Sequence, residues 1–446
     1  MDNIHPVPTK NNRIGFAYFP DSMHYQKSDL QTWLPELKAL GAQWLVLEAP
    51  TDRAIPEGFL GGLMAAGIEP ILHFKPSLAT PPKAGEMAVL FDAYASWGVH
   101  YVSLFDRPNT LQAWTQETWV QQQLVNRFLS IFIPLAEQAC KAGLNPILSP
   151  LEPGGNFWDT AFLKGALKGI YQRGHTRLLS RMAIGAYAWP NSHPLDWGHG
   201  GPQVWTGARP YFTPEDEQDH LGFRIFDWYT AISEITLGTK LPIILMGTGS
   251  GEGETDLQIA SLLAGDQTPM PTIPENVLAG CFHLLAAPSG SPAKASAWYH
   301  PGGAAVATVS KLKALTSERK EQQAATQPTA VNLDPAPAAD SAAKNTPRPA
   351  TANGSHKKPI QHYLLLPKYE WGVADWHLEV CQSFIKKYAP TTGFSLKEAS
   401  LAFRVTIVGG DQSFPPNTVK KLEKAGCQVV QVSGSGTEIA NILMNM

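Results

Sequence analysis

The sequence has little of several features that would each restrict its function. Its four cysteines, Cys140, Cys281, Cys381 and Cys427, lie far apart, and none falls in a Cys-x-x-Cys or Cys/His cluster. This spacing argues against a zinc site or any other metal site, and against a framework of disulfide bonds. No run of about 18 apolar residues occurs, so we expect no membrane-spanning helix.

Strong net charge is also missing, because 35 basic and 38 acidic residues leave a formal charge of -3. A balanced chain has no overall field for nucleic acid or an anionic membrane, so neither is expected as a partner. The N-terminal residues show no basic stretch followed by an apolar one, and the sequence as given predicts a cytoplasmic start. Without a glycine-rich phosphate fingerprint after the first strand, we expect no cofactor.

A change of composition divides the chain. Residues 316–359 are rich in Ala, Pro, Thr, Gln and Asn and contain almost no large apolar side chain. Such a segment cannot bury enough surface to offset its chain entropy, so it predicts a disordered linker. The linker separates residues 1–315 from a smaller unit at 360–446.

Strand-like and helix-like text alternates through the first unit, from "RIGFAYF" to "LAGCFHLLAA". Several helix patterns end in a glycine just before an apolar strand, as in "KALGAQWLVL", "MAAGIEPIL" and "CKAGLNPIL", which predicts left-handed helix stops. About eight such units favour a (β/α)8 TIM barrel, with a doubly wound sheet as the alternative. The predicted fold class is therefore α/β, with a barrel followed by a small α/β domain.

Three strand ends carry a family resemblance: "LFDRPN", "MAIGAYAWP" and "LPIILMGTG". They are similar to the ends of strands four, six and seven in glycoside hydrolase clan A, which includes many cellulases, xylosidases and mannanases. Clan members have Asn-Glu-Pro, His-x-Tyr and Glu there. The resemblance implies a barrel in which two glutamates about 5 Å apart act as acid/base and nucleophile.

This chain departs from the clan pattern at each of those strand ends. Asp106 stands for the Asn and Arg107 for the acid/base Glu, Gly247 for the nucleophile, and Gly185 for the His, while Tyr187 is kept. Arginine cannot release a proton near neutral pH, and glycine has no side chain. The resemblance therefore implies a clan fold whose retaining chemistry has been lost.

Other carboxylates stand near predicted strand ends and offer a replacement pair. They are Glu48, Glu152, Asp196, Glu252 and Glu254, and two of them facing each other would suit an inverting hydrolase. The catalytic candidates are thus Glu152, Glu48 and Asp106. The alternative is structural: Glu48 pairs with a barrel Arg or Lys, and Glu152 caps the turn that follows it.

The loop "AYAWPNSHPLDWGHGGPQVW", residues 186–205, concentrates aromatic and polar side chains. Rings that stack on sugars and polar groups that bind hydroxyls are what a carbohydrate site needs. The alternative is a lid that packs on itself with its rings turned inward. The candidate substrate-binding residues are Arg107, Tyr187, Trp189, His193, Asp196, Trp197, Trp205 and Trp298, with His199 beside them in the loop.

The C-terminal text "RVTIVGGDQSFPPNTVKKLEKAGCQVVQV" reads as strand, turn, helix and strand. Over about 40 residues, its Val-Gly-Gly and the "SGSGT" turn resemble one copy of the cell-wall-binding repeat of bacterial surface proteins. The resemblance implies a cell-wall polymer as partner and the cell surface as location. The alternative is a flavodoxin-like accessory domain whose "SGSGT" turn holds an anion.

Two functions compete for the whole chain. One is a carbohydrate-binding relative of the glycosidases that has lost hydrolysis, and the other is an active glycoside hydrolase with relocated carboxylates. We favour the first because catalysis needs two positioned carboxylates, whereas binding needs only the cleft. In both, the expected ligand is an oligosaccharide or polysaccharide.

Overall fold

A computed structural model of the chain describes two compact units. In the first it describes residues 4–251, 253–300 and 304–326. In the second it describes residues 358, 360–367, 381, 384–385, 387–388, 390–409, 414, 417–433, 439 and 442–443. Glu252, residues 327–357 of the predicted linker and most of the "SGSGT" turn lie outside the described residues.

The first unit is a closed barrel of eight parallel strands, which confirms the predicted TIM barrel. Each strand is hydrogen-bonded to its sequence neighbours, and β8 closes the barrel on β1 with Ile14 opposite Gly280. The strands are β1 (Ile14–Ala17), β2 (Trp44–Ala49), β3 (Glu69–Phe74), β4 (Tyr101–Leu104), β5 (Asn145–Leu151), β6 (Ala183–Ala188), β7 (Ile243–Thr248) and β8 (Val277–Phe282).

Helices follow every strand of the barrel. They are α1 (Lys27–Ala39), α2 (Glu57–Ala65), α3 (Ala84–Ser96), the short α4 (Gln116–Trp119), α5 (Leu124–Ala142), α6 (Asp159–Gln172), α7 (Thr176–Arg181), α8 (Ile225–Leu237), α9 (Gly253–Ala264) and α10 (Ala307–Thr326). The predicted helix stops Gly41, Gly67 and Gly143 have φ values of 75°, 79° and 104°, a region that glycine enters without steric cost. No described helix has the length and apolar character needed to cross a bilayer.

Two apolar cores hold the barrel together. Inside it pack strand side chains such as Trp44, Ile71, Tyr101 and Ile244. Outside it, the opposite faces of the strands pack against the helices in a larger cluster. Because side chains alternate along a strand, each strand supplies both cores, and this accounts for the almost continuous apolar text of β2 to β7.

The helix that follows β8 extends into the region predicted to be linker. Helix α10 continues past Thr316 to Thr326, Thr316 is buried, and Arg319 bonds Asp266 at the end of α9. Val309 and Leu312 are also buried, so a narrow stripe with spacings of three and four fixes a helix whose other faces are polar. Residues 316–326 therefore belong to the barrel unit.

The second unit contains a four-stranded parallel sheet in the order β10-β9-β11-β12. Its elements are β9 (Ile360–Leu365), β10 (Thr391–Gly393), α11 (Leu396–Ala399), β11 (Ala402–Val408), α12 (Thr418–Lys424) and β12 (Gln428–Val432), and Cys381, Phe384, Ile385, Lys387 and Tyr388 are helical. This agrees with the α/β reading of the C-terminal text.

Candidate functional site

The candidate site lies where the strands end at the C-terminal mouth of the barrel. Asp106 and Arg107 follow β4, Glu152 follows β5, and Tyr187 lies near the end of β6. Arg107 has a φ of 45°, and its backbone N–H bonds the carbonyl of Pro150 at 2.9 Å. Parallel strands bring their ends to one rim, so residues far apart in sequence meet there.

These four residues form one cluster, which we call the Arg107 cluster. Arg107 Nε lies 2.5 Å from Glu152 Oε2, and Nη1 lies 3.4 Å from Asp106 Oδ2. The guanidinium stands 4.3 Å from the centroid of the Tyr187 ring, and Tyr187 donates to Asp106 Oδ1 at 2.7 Å. The cation thus lies between two of the three predicted catalytic carboxylates.

The charges of the cluster stabilise one another. Burial lowers the pKa of Arg107, but Tyr187, Asp106 and Glu152 outweigh it, so the net shift is upward. Burial, followed by Asp106, raises the pKa of Tyr187 well above its ordinary value. At neutral pH the guanidinium is therefore charged and the phenol neutral, so neither of them is a proton donor or acceptor suited to glycoside cleavage.

A neighbouring residue that sequence reasoning missed fixes the two loops of the cluster. Asn109 is fully buried and donates through Nδ2 to the carbonyls of Glu152 and Phe157, at 2.8 and 3.0 Å. Its Oδ1 accepts from the Glu152 N–H at 2.9 Å. The signal in the sequence was an Asn placed next to Pro108 at a strand end, where a side-chain amide can replace backbone pairing.

Gly247 and Gly185, which the sequence resemblance aligns with clan side chains, lie where a side chain has no room. A Cβ on Gly247 would lie 2.7 Å from the Trp189 ring and 2.9 Å from the Tyr187 ring. A Cβ on Gly185 would lie 2.8 Å from the carbonyl oxygen of Leu148. A carboxylate at Gly247 would need Trp189 to move, so the packing around this strand end is built for glycine.

Trp189 presents the most suitable ring at the mouth. It stacks on Tyr187 with centroids 5.5 Å apart and planes at 11°. The rings of Trp189 and His283 lie nearly perpendicular, with centroids 5.9 Å apart. The ring is half-buried, and it lines a cavity of about 400 Å³ with residues 190–194, Gly249, Ser250 and Thr255. One ring face is thus supported by protein, which pre-organises the side chain for a ligand.

Two histidines near the mouth, His73 and His283, lie in or next to apolar strands and were not among the candidates selected from the sequence. His73 of β3 is 2% exposed, and its Nε2 lies 3.0 Å from the carbonyl oxygen of Phe105. Burial, followed by Lys75, lowers the pKa of His73 to about 4. Enclosure by protein atoms, followed by Lys75 and Arg107, also lowers the pKa of His283, although its side chain reaches solvent. Both imidazoles are neutral at neutral pH.

Glu48 makes an ion pair with a barrel lysine, as its structural alternative described. Its Oε2 lies 3.0 Å from Lys75 Nζ, and both residues line a polar cavity of about 260 Å³ at the ends of β2 and β3. That cavity and the one beside Trp189 lie four strands apart, on opposite sides of the mouth. Glu254 is exposed in the first turn of α9.

Most of the 186–205 loop packs on itself or on α8. Trp197 donates to Asp219 Oδ1 at 3.1 Å, and His193 stacks on it with centroids 4.1 Å apart. Trp205 donates to the carbonyl of His199 at 3.0 Å, and His199 Nδ1 lies 3.1 Å from Asp227. The indole N–H of Trp205 is thus bonded within the loop, and that of Trp197 to Asp219, which lies between the loop and α8. Asp196 is exposed.

Trp298 does not fit the predicted binding set. Its side chain is 3% exposed, and its ring packs edge-on against Phe16 and tilted against Phe282, each with centroids 5.0 Å apart. A ring enclosed in this way offers no face to a ligand. The residue therefore belongs to the core at the end of β8.

Within the described residues there is no group of three or more His, Cys, Asp or Glu side chains that could hold a metal ion.

A larger cavity, of about 810 Å³, lies at the opposite end of the strands. Its lining includes Lys10, Gln43 and Gly67, which precede β1, β2 and β3 respectively. It is thus at the N-terminal end of the barrel, away from the Arg107 cluster.

Comparison with solved structures gives distant similarities. No family model matches the sequence, and no curated protein matches it. Among solved structures, a GH128 (subgroup II) endo-β-1,3-glucanase from Sorangium cellulosum is 11% identical with a TM-score of 0.39, covering 68% of this chain and 97% of its own.

Two further structures show the same low level of similarity. A β-galactosidase from Rahnella sp. R3 is 10% identical with a TM-score of 0.40, covering 95% of this chain and 71% of its own. A 3-deoxy-D-arabino-heptulosonate 7-phosphate synthase from Thermotoga maritima is 13% identical with a TM-score of 0.31, covering 70% and 88%. At these values the similarities assign no function to this chain.

Proposed function

We propose that the barrel binds an oligosaccharide or polysaccharide at its C-terminal mouth and does not hydrolyse it. The observation that carries the proposal is the Arg107 cluster, in which one guanidinium pairs with both Asp106 and Glu152. A glycosidase needs one carboxyl group that gives a proton and a second that attacks or activates water. Here both candidate carboxylates are paired with one guanidinium, which cannot itself give up a proton near neutral pH.

The binding half of the proposal depends on the surface beside that cluster. Trp189 offers a supported ring to the apolar face of a sugar, and the polar cavities on either side of the mouth offer hydroxyl partners. Arg107 and Glu152 are 38% and 39% exposed, so they remain within reach of a ligand. The proposed binding residues are Arg107, Glu152, Trp189 and His193, with Tyr187 and Asp106 supporting them.

A titration of oligosaccharides tests this proposal. Xylo-, manno- and gluco-oligosaccharides are titrated calorimetrically into the full chain, and the best ligand is repeated with Trp189→Ala. Loss of the stacking ring should weaken binding by about 1–3 kcal/mol, the range for burial of a large apolar side chain. Trp97→Ala is the control, since Trp97 is also half-buried but follows α3 at the other end of the barrel.

Two results would overturn the proposal. One is the absence of binding to any member of the panel. The other is turnover of an oligosaccharide or aryl glycoside that Glu152→Gln or Glu48→Gln abolishes. The second result would establish the alternative, an active hydrolase with relocated carboxylates.

For the second unit we propose a cell-wall polymer as ligand. The proposal comes from the sequence resemblance, and the parallel sheet of β9, β11 and β12 is compatible with it and with the flavodoxin-like alternative alike. One repeat alone lacks the avidity of several, so binding of the full chain to purified cell walls should be weak. Binding that does not change when residues 358–446 are deleted would contradict it.

A further inference from the structure

The C-terminal unit contains a cavity that the proposed function does not use. Its volume is about 290 Å³, and it opens on one face of the four-stranded sheet. The lining side chains come from three strands and from the helical residues near 384. They are His362, Phe384, Tyr388, Arg404, Thr406, Gln428 and Val430.

The strand register places the polar side chains in a single row. Arg404 of β11 lies opposite His362 of β9 on one side and Gln428 of β12 on the other. Thr406 and Val430 form the next row on the same face. Because side chains alternate along a strand, the five project together from the sheet.

The same face becomes apolar toward the other end of the strands. Leu364, opposite Thr406, and then Val408 and Val432 in the following row are buried against Cys381 and Phe384. The row that contains Arg404 is therefore not a continuation of the core. Arg404 and Gln428 are exposed, while Thr406 is 1% exposed at the floor of the cavity.

The described residues that line the cavity carry positive charge. Its lining supplies a guanidinium and an imidazole and, among the described residues, no carboxylate. Lys387 adds a second cation, since its Nζ lies 4.9 Å from the centroid of the Tyr388 ring. Burial, followed by the charge of Arg404, lowers the pKa of His362, so the ring is neutral beside the guanidinium.

Aromatic side chains form the wall next to this charge. The rings of Phe384 and Tyr388 have centroids 4.8 Å apart. The rings of His362 and Phe384 lie nearly perpendicular, with centroids 5.6 Å apart. Tyr388 is 36% exposed and Val430 37%, so an apolar surface faces solvent beside the row of polar groups. His362 Nε2 and Thr406 Oγ1, 3.0 Å apart, add hydrogen-bonding groups.

We propose that this cavity binds a small organic anion, a single ring that carries a carboxylate or a phosphate. The anionic group lies on Arg404, whose planar guanidinium can give two parallel N–H donors to such a group. The ring packs between Tyr388 and Val430. A volume of about 290 Å³ is near the lower limit for small-molecule pockets, which suits one ring and its substituent.

Binding of three probes to the full chain tests this inference. Benzoate, phenyl phosphate and benzyl alcohol share the ring and differ in charge, and their affinities are measured by saturation-transfer NMR. We expect one or both anions to bind at least about tenfold more tightly than the alcohol, the effect of one charge-assisted hydrogen bond. The stronger anion identifies which group the site takes.

Variants then locate the site. Arg404→Gln should weaken binding of the anions about ten- to a hundredfold and leave the alcohol unchanged, whereas Arg404→Lys should keep part of the preference. Lys397→Gln on α11 removes one positive charge from the same unit outside the cavity, and should change nothing. Tyr388→Leu should weaken all three probes, and it decides the question if Arg404→Gln fails to fold.

Three outcomes would overturn the inference. They are no saturation by either anion at millimolar concentration, equal binding of the anions and the alcohol, and anion binding that neither Arg404→Gln nor Tyr388→Leu alters. Because the probes are monocyclic and carry no sugar, these outcomes are independent of whether the barrel binds oligosaccharides.

Discussion

Acid should destabilise the barrel through His73, which lies 2% exposed in β3 with Nε2 near the carbonyl of Phe105. Burial and then Lys75 lower its pKa to about 4, whereas an unfolded histidine titrates near 6.5. Between these values the unfolded chain binds a proton that the folded chain does not. Stability from this group is therefore complete above about pH 6.5 and is lost as the pH falls toward 4.

The two pKa values set the size of the effect. Linkage between a folded value of about 4 and an unfolded value of about 6.5 gives a loss of roughly 2.5 kcal/mol between about pH 7.5 and about pH 4.5. That is a large fraction of the stability of an ordinary domain. His73→Gln removes the titrating group and retains a side chain that can donate to the Phe105 carbonyl.

Urea unfolding followed by tryptophan fluorescence measures this effect, since most of the tryptophans lie in the barrel unit. The free energy of unfolding is determined for the natural chain and for His73→Gln at both pH values. All other titrating groups are common to the two chains, so their difference isolates His73. We expect the free energy of unfolding of the variant, relative to that of the natural chain, to be about 2.5 kcal/mol higher at the lower pH than at the higher pH. A difference between the two chains that is the same at both pH values would refute the reasoning.

Three further predictions concern packing. Limited proteolysis should cut first on the C-terminal side of Thr326 and spare α10, as mass spectrometry of the fragments would show. Arg319→Ala should lower the free energy of unfolding by about 1–2 kcal/mol, because its guanidinium makes two bonds to the half-buried Asp266. Gly247→Ala should cost about 1–3 kcal/mol in urea unfolding and weaken oligosaccharide binding, since its Cβ would displace Trp189.

Matched controls accompany these variants. Lys320→Ala changes the next residue of α10, whose Nζ bonds only a backbone carbonyl at the surface, so a cost below about 0.5 kcal/mol is expected. Gly61→Ala places a Cβ in open space on α2, where a better helix former should be neutral or stabilising. Early cuts within residues 316–326 would contradict the packing of α10 on the barrel. Equal losses of unfolding free energy in a variant and its control would contradict the stabilising contact assigned to Arg319 or the close packing at Gly247.

The barrel was readable from the sequence because its strands are short apolar runs and its helices end at glycine. The prediction assigned the C-terminal part of α10, from Thr316 onward, to the linker. In α10 the buried stripe is one residue wide per turn, at Val309, Leu312 and Thr316, and the exposed remainder resembles a linker in composition. Composition averages over all faces of a helix, whereas packing depends on one.

The site was readable only in part. Arg107, Asp106 and Glu152 were placed at the ends of β4 and β5, and the structure brings them together because these strands are neighbours. Which tryptophan is free to bind could not be deduced, because exposure depends on contacts that are distant in sequence. The exposure of Trp197 depends on its hydrogen bond to Asp219, and that of Trp298 on its contact with the ring of Phe16.

Binding without turnover is the central claim, and mass spectrometry of a bound ligand tests it most directly. The full chain is saturated with its tightest-binding oligosaccharide, incubated, and the sugar is analysed for shorter products and new reducing ends. Because Arg107 holds Asp106 and Glu152 as ion pairs, the account predicts that the ligand is recovered intact. Shorter products that accumulate with time, and that disappear in Glu152→Gln, would contradict it.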